Sequence, residues 1–259
     1  MTTAGVFGKL WSQGARDWAS FVEPHYHVLY EAVHDRLGVR SGMRLLDVGC
    51  GPGGAALLAA GRGASVAGLD ASPDSIEMAR ERNPAGDFRV DDMESLPWPA
   101  SAFDAVTGFN SFPFAASPVA ALAEARRVLV GDGKLGIVVF LPPEKSQQTR
   151  IMAAIAALAP PLPPGGPGPF ALSAPGALES ALQAAGLRSI DAGEFPIVMS
   201  FPDAEIACKA FLAGGGSARA IQHSGEERVQ QTMRDVLEGF RLGTGEYRIE
   251  NRFRFVIAG

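Results

Sequence analysis

Three observations predict that this chain of 259 residues folds as an α/β domain on an open, mostly parallel sheet. The stretch Met43-Arg-Leu-Leu-Asp-Val-Gly-Cys-Gly-Pro-Gly-Gly54 is an apolar run that breaks into glycines and enters an Ala/Leu-rich segment, which reads as strand, tight turn and helix. From 43 to 140, short strand-like runs alternate with helical stretches, the pattern of parallel strands joined by crossover helices. The final segment, 248–257, alternates strictly, with Ile249, Phe253, Phe255 and Ile257 on one side. That pattern suits an antiparallel edge strand or hairpin partner better than a strand buried on both faces.

The glycine turn reads as a ligand cradle. Glycines bring backbone N–H groups close to a ligand, and the following helix start offers unpaired donors and a positive dipole end. Pro52 fits near that start, where its missing N–H costs little. Two spacings coexist: Gly49, Gly51 and Gly54 satisfy G-x-G-x-x-G, the dinucleotide spacing, and Gly49, Gly51 and Gly53 satisfy G-x-G-x-G. A carboxylate at Asp47, two residues upstream, would be awkward beside a pyrophosphate and suits a ligand carrying positive charge.

Composition bounds the function. The length allows one domain with an elaboration, and 47% hydrophobic with 20% charged residues describes an ordinary globular chain. A net charge of −5 with no basic cluster argues against a nucleic-acid partner. Cys50 and Cys208 are too few for a disulfide framework and nothing has zinc spacing, so a cytoplasmic location and no metal are expected. The N-terminus lacks the apolar core of a signal peptide, and residues 151–163 are too short to cross a bilayer, so no membrane association is expected.

In chain order, residues 1–41 read as two aromatic helical segments separated at Pro24, with Trp11 and Trp18 seven apart on one face. They either pack onto the sheet domain or fold over the site as a lid, with Tyr26 and Trp11 the residues to watch. Strand 44–48 leads through the glycine turn to a helix that Gly61 or Gly63 ends. Strand 65–69 delivers Asp70 at its tip, about twenty residues beyond the glycines, where a carboxylate can accept both hydroxyls of a ribose. Ser72-Pro73-Asp74 starts the next helix with a cap, a first-turn proline and an acid. Strand 87–90 enters the acidic loop Asp91-Asp92-Met93-Glu94. Strand 103–108 leads to Phe109-Asn110, on the ligand side of the sheet, and Asp104 at its other end reads as structural. A helix over 118–130, a turn at Gly131-Asp-Gly133 and a strand over 134–140 follow.

The run Leu46-Asp-Val-Gly-Cys-Gly-Pro-Gly53 resembles the first motif of class I S-adenosylmethionine (SAM) methyltransferases, of the small-molecule, type 11-like kind. The acidic loop and the run 124–135 are similar to further segments of the same family. The resemblance covers about 43 to 140. It implies a Rossmann-like, seven-stranded, mostly parallel sheet with a reversed last strand, helices on both faces, N-terminal helices and a cap insertion. It implies a SAM site, left as S-adenosylhomocysteine after transfer, made of Asp47, Gly49, Cys50, Gly51, Asp70, Ala71, Asp92, Met93, Phe109 and Asn110. In that site Asp92 would receive the adenine amino group and the Met93 N–H would meet a ring nitrogen. Asp91 stands where the family usually has glycine, which leaves the choice between Asp91 and Asp92 open.

The expected organisation is a single domain over 1–259: an N-terminal helical lid (1–41), a SAM-binding core (42–140), a cap insertion (141–172) carrying a Pro/Gly-rich run at 160–169, and a C-terminal part (173–259). In that part a helix over 175–185, a strand over 188–198, and helices around 203–212 and 226–241, spaced by Gly214-Gly-Gly216, precede the last strand. The expected function is in-line methyl transfer to a small molecule by a monomer or homodimer. The alternatives are an NAD(P)-dependent oxidoreductase and a SAM-binding protein that does not methylate. His25, His27 and His223 are candidate bases if the acceptor must lose a proton; no catalytic residue is assigned.

Overall fold

The computed structural model describes residues 3–142, 145–161 and 168–259. Seven strands form one sheet in the order β3-β2-β1-β4-β5-β7-β6. They are β1 (Arg44–Val48), β2 (Ser65–Asp70), β3 (Asp87–Val90), β4 (Phe103–Phe109), β5 (Leu129–Phe140), β6 (Ser189–Phe201) and β7 (Tyr247–Ala258). The first five pair in parallel, and β7 runs antiparallel to both β5 and β6. The reversed last strand is present, and it lies inside the sheet with β6 at the edge.

On one face pack α2 (Glu23–Leu37) and α3 (Gly54–Gly61), with Leu29, Val33 and Leu37 among the buried residues. On the other lie α5 (Pro118–Val128) and α7 (Ala177–Ala184), through Leu122, Ala125, Leu178 and Leu182. β1 buries all of Leu45 to Val48, as a central strand covered on both faces must. α4 (Pro73–Arg82) begins as its sequence predicts, with Ser72 Oγ accepting the Ser75 N–H at 3.2 Å.

Three expectations change. Trp11 and Trp18 do not share a helix. α1 (Thr3–Ser12) ends, Gly14 follows, and a single turn (Ala15–Asp17) and a π-helical turn (Trp18–Val22) run into α2, whose first turn holds Pro24. A Cβ at Gly14 would lie 2.1 Å from the Ala213 carbonyl oxygen, so the chain bends where another backbone presses on it. The two indoles meet edge to face across that bend, 5.1 Å apart.

β5 begins at Leu129, so the predicted turn 131–133 lies within it. A register shift, from Phe103 opposite Leu129 to Ala105 opposite Lys134, absorbs the two glycines. Gly214-Gly-Gly216 is no spacer either: it opens an unforeseen helix, α9 (Gly215–Ser224), between α8 (Ala204–Leu212) and α10 (Glu226–Leu237). A Cβ on Gly215 would lie 2.9 Å from Trp11 Nε1, so close packing of α1 explains the glycine.

After β5 the chain forms α6 (Gln147–Ala156), within the span read as a cap insertion. Residues 162–167 of the Pro/Gly-rich run lie outside the described residues. Among the described residues no helix is long and apolar enough to cross a membrane, and no group of acidic, His and Cys side chains could hold a metal.

Candidate functional site

At the carboxyl ends of β1, β2 and β4 a cavity of about 390 Å³ opens, and α1, α2, α6 and α9 close over it. All ten residues of the predicted cofactor site line it, as do Asp91 and Glu94. They converge because parallel strands deliver their last residues to one edge of the sheet.

The turn after β1 takes left-handed conformations at Gly49, Gly51 and Gly53, with φ of 71°, 54° and 85°. Gly49 is pressed from below, since a Cβ there would lie 2.2 Å from Ser111 Cβ, whereas a Cβ at Gly51 would meet nothing within 4 Å. That open side faces the cavity. Asp70 braces the turn: its Oδ2 accepts the Gly51 N–H at 2.9 Å and its Oδ1 accepts the Ser72 N–H at 2.8 Å. The carboxylate keeps acceptor capacity for a further donor.

Asp47 is buried, and its Oδ1 accepts from Thr107 Oγ1 at 2.8 Å, its neighbour across the β1–β4 pairing. Burial pushes its pKa up to about 7, against the Thr107 bond that lowers it, and the charges of Asp70 and Glu23 add to the rise. Burial also raises the Asp70 carboxyl, opposed by its backbone donors. Three carboxylates around one glycine turn make an electronegative site suited to a cation.

Glu23 is the residue that sequence reasoning missed. Nothing in Glu23-Pro24 beyond a helix start points to the glycine turn. Yet its Oε1 accepts the Gly54 N–H at 3.1 Å, capping α3 from outside, while Oε2 pairs with Arg82 Nη1 at 2.5 Å. Arg82 also donates to the Pro52 carbonyl at 2.8 Å. Burial raises the Glu23 carboxyl and Arg82 opposes the rise. Removing the guanidinium leaves a buried carboxylate unpaired. Arg82→Leu is therefore expected to destabilise the fold by about 2 kcal/mol, read as a lower urea midpoint, while Glu23→Gln combined with it recovers part of the loss.

The acidic loop holds itself in shape. Asp91 Oδ1 accepts the Asp92 N–H at 2.8 Å, and Asp92 Oδ1 accepts the Glu94 N–H at 3.0 Å. After β4, Asn110 adopts a left-handed φ of 56°, and its Oδ1 is buried without a partner. Ser111 Oγ donates to the Val48 carbonyl at 2.5 Å, tying this loop to the glycine turn.

α1 lies across the end of β2, where a Cβ on Gly8 would lie 2.1 Å from the Ala71 carbonyl oxygen and the Ser12 and Ser72 hydroxyls stand 2.9 Å apart. Trp11, Trp18 and Tyr26 follow one another edge to face along the cavity wall. The three candidate histidines are elsewhere: His25 packs on Phe201 and His27 lies near Tyr30, and neither they nor His223 lines the cavity. The remaining histidine, His34, is fully buried, and its pKa falls to about 4, chiefly through burial.

A glycine turn after the first strand, an acid at the tip of the second and a reversed seventh strand define the class I SAM-dependent methyltransferase fold. A methyltransferase-domain family matches residues 46–137. Nocamycin O-methyltransferase of Saccharothrix syringae is 32% identical over 193 residues, which cover 66% of this chain and 68% of that one. The chain belongs to this methyltransferase family. Demethylmenaquinone methyltransferase of Thermus thermophilus is 40% identical over 111 residues, 39% of this chain and 49% of that enzyme. The chain thus spans about half the length of several curated relatives it matches. Among solved structures, the (4+2)-cyclase SpnF shares the fold with a TM-score of 0.57 and 24% identity, over 90% of this chain and 79% of that one.

Proposed function

We propose that this chain transfers a methyl group from SAM to a small, largely apolar acceptor. The observation that carries the reading is one cavity whose wall holds the whole predicted cofactor set and continues into apolar side chains, among them Phe140, Ile151, Met152 and Phe211. The same cavity tests the fit. Gly51 leaves room for a ligand, Asn110 Oδ1 is a buried acceptor in want of a donor, and the carboxylates favour a molecule carrying an ammonium and a sulfonium.

In this reading Asp70 holds the ribose hydroxyls and Asp47 the ammonium. Asp92 and the Met93 N–H hold the adenine, and Phe109 and Asn110 line the methionine part. When bound, SAM supplies an electrophilic methyl group for in-line displacement. The protein's part is to hold the acceptor on that line and exclude water, and alignment alone can supply much of the acceleration. The N-terminal helices act as the lid, the cap insertion shapes the acceptor side, and the free thiols of Cys50 and Cys208 fit a cytoplasmic protein.

The relatives named for methyl transfer to demethylmenaquinone and on nocamycin support the reaction class, and the shared fold of a cyclase shows why the cofactor must be tested directly. Calorimetric titration with SAM, S-adenosylhomocysteine and NADH in parallel is the test. Binding of both adenosyl ligands with NADH silent is expected, and NADH binding alone would replace the reading by the oxidoreductase one. Asp70→Asn keeps an acceptor for one brace but loses the charge, and should weaken SAM by about tenfold or more. Unchanged affinity would remove Asp70 from the site.

A further inference from the structure

The inward row of β7 is apolar except at one position. Tyr247, Ile249, Phe253, Phe255 and Ile257 are buried, and among them stands Asn251, only 2% exposed. A carboxamide in such a row is costly unless its groups are paired. Its Oδ1 accepts twice from the start of α6, from Ser146 Oγ at 3.1 Å and from the Gln148 N–H at 2.9 Å. Its Nδ2 meets Met199 Sδ at 3.3 Å. The first turn of α6 is thereby fixed on the sheet, and the side chain it presents to the cavity is Gln148.

Gln148 is 6% exposed and lines the cavity. The hydroxyl of buried Tyr26 donates to its Oε1 at 3.4 Å, which engages one end of the carboxamide. The other end, Nε2, donates to no atom among the described residues. The cavity wall includes the rings of Tyr26, Phe140 and Phe170, and Phe253 packs behind the first two, with successive ring centres within 6 Å. The one cation lining the cavity among the described residues is Arg219, and its guanidinium donates to the Pro160 carbonyl. A negatively charged acceptor would enter a cavity lined by six acidic residues, Glu23, Asp47, Asp70, Asp91, Asp92 and Glu94, with that single cation to oppose them.

We propose that Gln148 orients the acceptor, and that the acceptor is an apolar molecule presenting a neutral oxygen, such as a carbonyl, to Nε2. Asn251 and Tyr26 are positioning residues for that carboxamide. The inference rests on the reading of the cavity as a site for SAM and an acceptor.

The test uses the full chain saturated with S-adenosylhomocysteine and a matched pair of probes, 2-acetylnaphthalene and 2-ethylnaphthalene, which differ by a carbonyl in place of a methylene. Calorimetry should show the ketone bound about fivefold tighter, the worth of one neutral hydrogen bond. Gln148→Leu and Gln148→Met, neither of which has a donor, should both erase the preference and leave S-adenosylhomocysteine affinity within twofold.

A preference that survives both variants overturns the proposal. So does binding of neither probe by protein that takes S-adenosylhomocysteine, or tightest binding of 2-naphthoate that depends on Arg219, through Arg219→Gln, and not on Gln148. Failure of the underlying reading looks different: the wild-type chain would not take S-adenosylhomocysteine at all.

Discussion

Gly49→Ala is expected to lose SAM binding together with about 3 kcal/mol of stability, whereas Gly51→Ala is expected to lose binding and stay folded. The two glycines are two residues apart, and both have positive φ, at 71° and 54°. Each substitution carries the backbone cost of a left-handed residue, about 1 kcal/mol. They differ in what the new methyl meets. At Gly49 it lands 2.2 Å from Ser111 Cβ. Ser111 has little freedom to withdraw, because its hydroxyl is bonded to the Val48 carbonyl and the residue is buried. At Gly51 no atom lies within 4 Å, and the methyl projects into the cavity. Urea unfolding and SAM calorimetry on the two variants separate the effects. Equal stability losses would mean that the tight contact at Gly49 relaxes at little cost.

These glycines also mark what could be read in advance. Strand, glycine turn and helix are encoded over a dozen consecutive residues, and the acids at 70 and 92 follow at the tips of successive parallel strands, so spacing along the chain becomes position on one sheet edge. β7 was legible for a similar reason, since its alternation declares its two faces. What stayed hidden depends on contacts between distant segments. Glu23 reaches Gly54 across 31 residues, and Tyr26 reaches Gln148 across 122. Neither has a periodic signature. The glycines at 214–216 misled because their reason is Trp11 pressing on Gly215 from the other end of the chain. Asn251 stands on the apolar face of that alternation and was not singled out in the sequence; only its bonds to the start of α6 explain it.

Asp47 should make both folding and cofactor affinity depend on pH, in opposite directions. Its pKa rises from 3.8 to about 7 on folding, chiefly through burial. The folded state therefore holds a proton that the unfolded chain releases. The resulting stability is fully present below about pH 4 and is lost as pH rises through 7, at most about 4 kcal/mol. Asp70 and Glu23, also raised by burial, act in the same sense. Asp47→Asn isolates the term: the ligand-free variant should gain on the wild type from pH 5 to 7 in urea unfolding, with the gain levelling off above 7.

An ammonium bound beside the carboxylate reverses the advantage, because it favours the ionised form that burial penalises. SAM and S-adenosylhomocysteine should bind more tightly as pH rises from 6 to 8, with the gain levelling off above 7, and their binding should release protons, seen as an enthalpy that varies with buffer ionisation. Asp47→Asn should flatten that profile and weaken binding on the order of a hundredfold at pH 8. A flat wild-type affinity profile with no proton release would mean that the charge of Asp47 is not used by the ligand. Its burial would then serve only the β1–β4 pairing through Thr107.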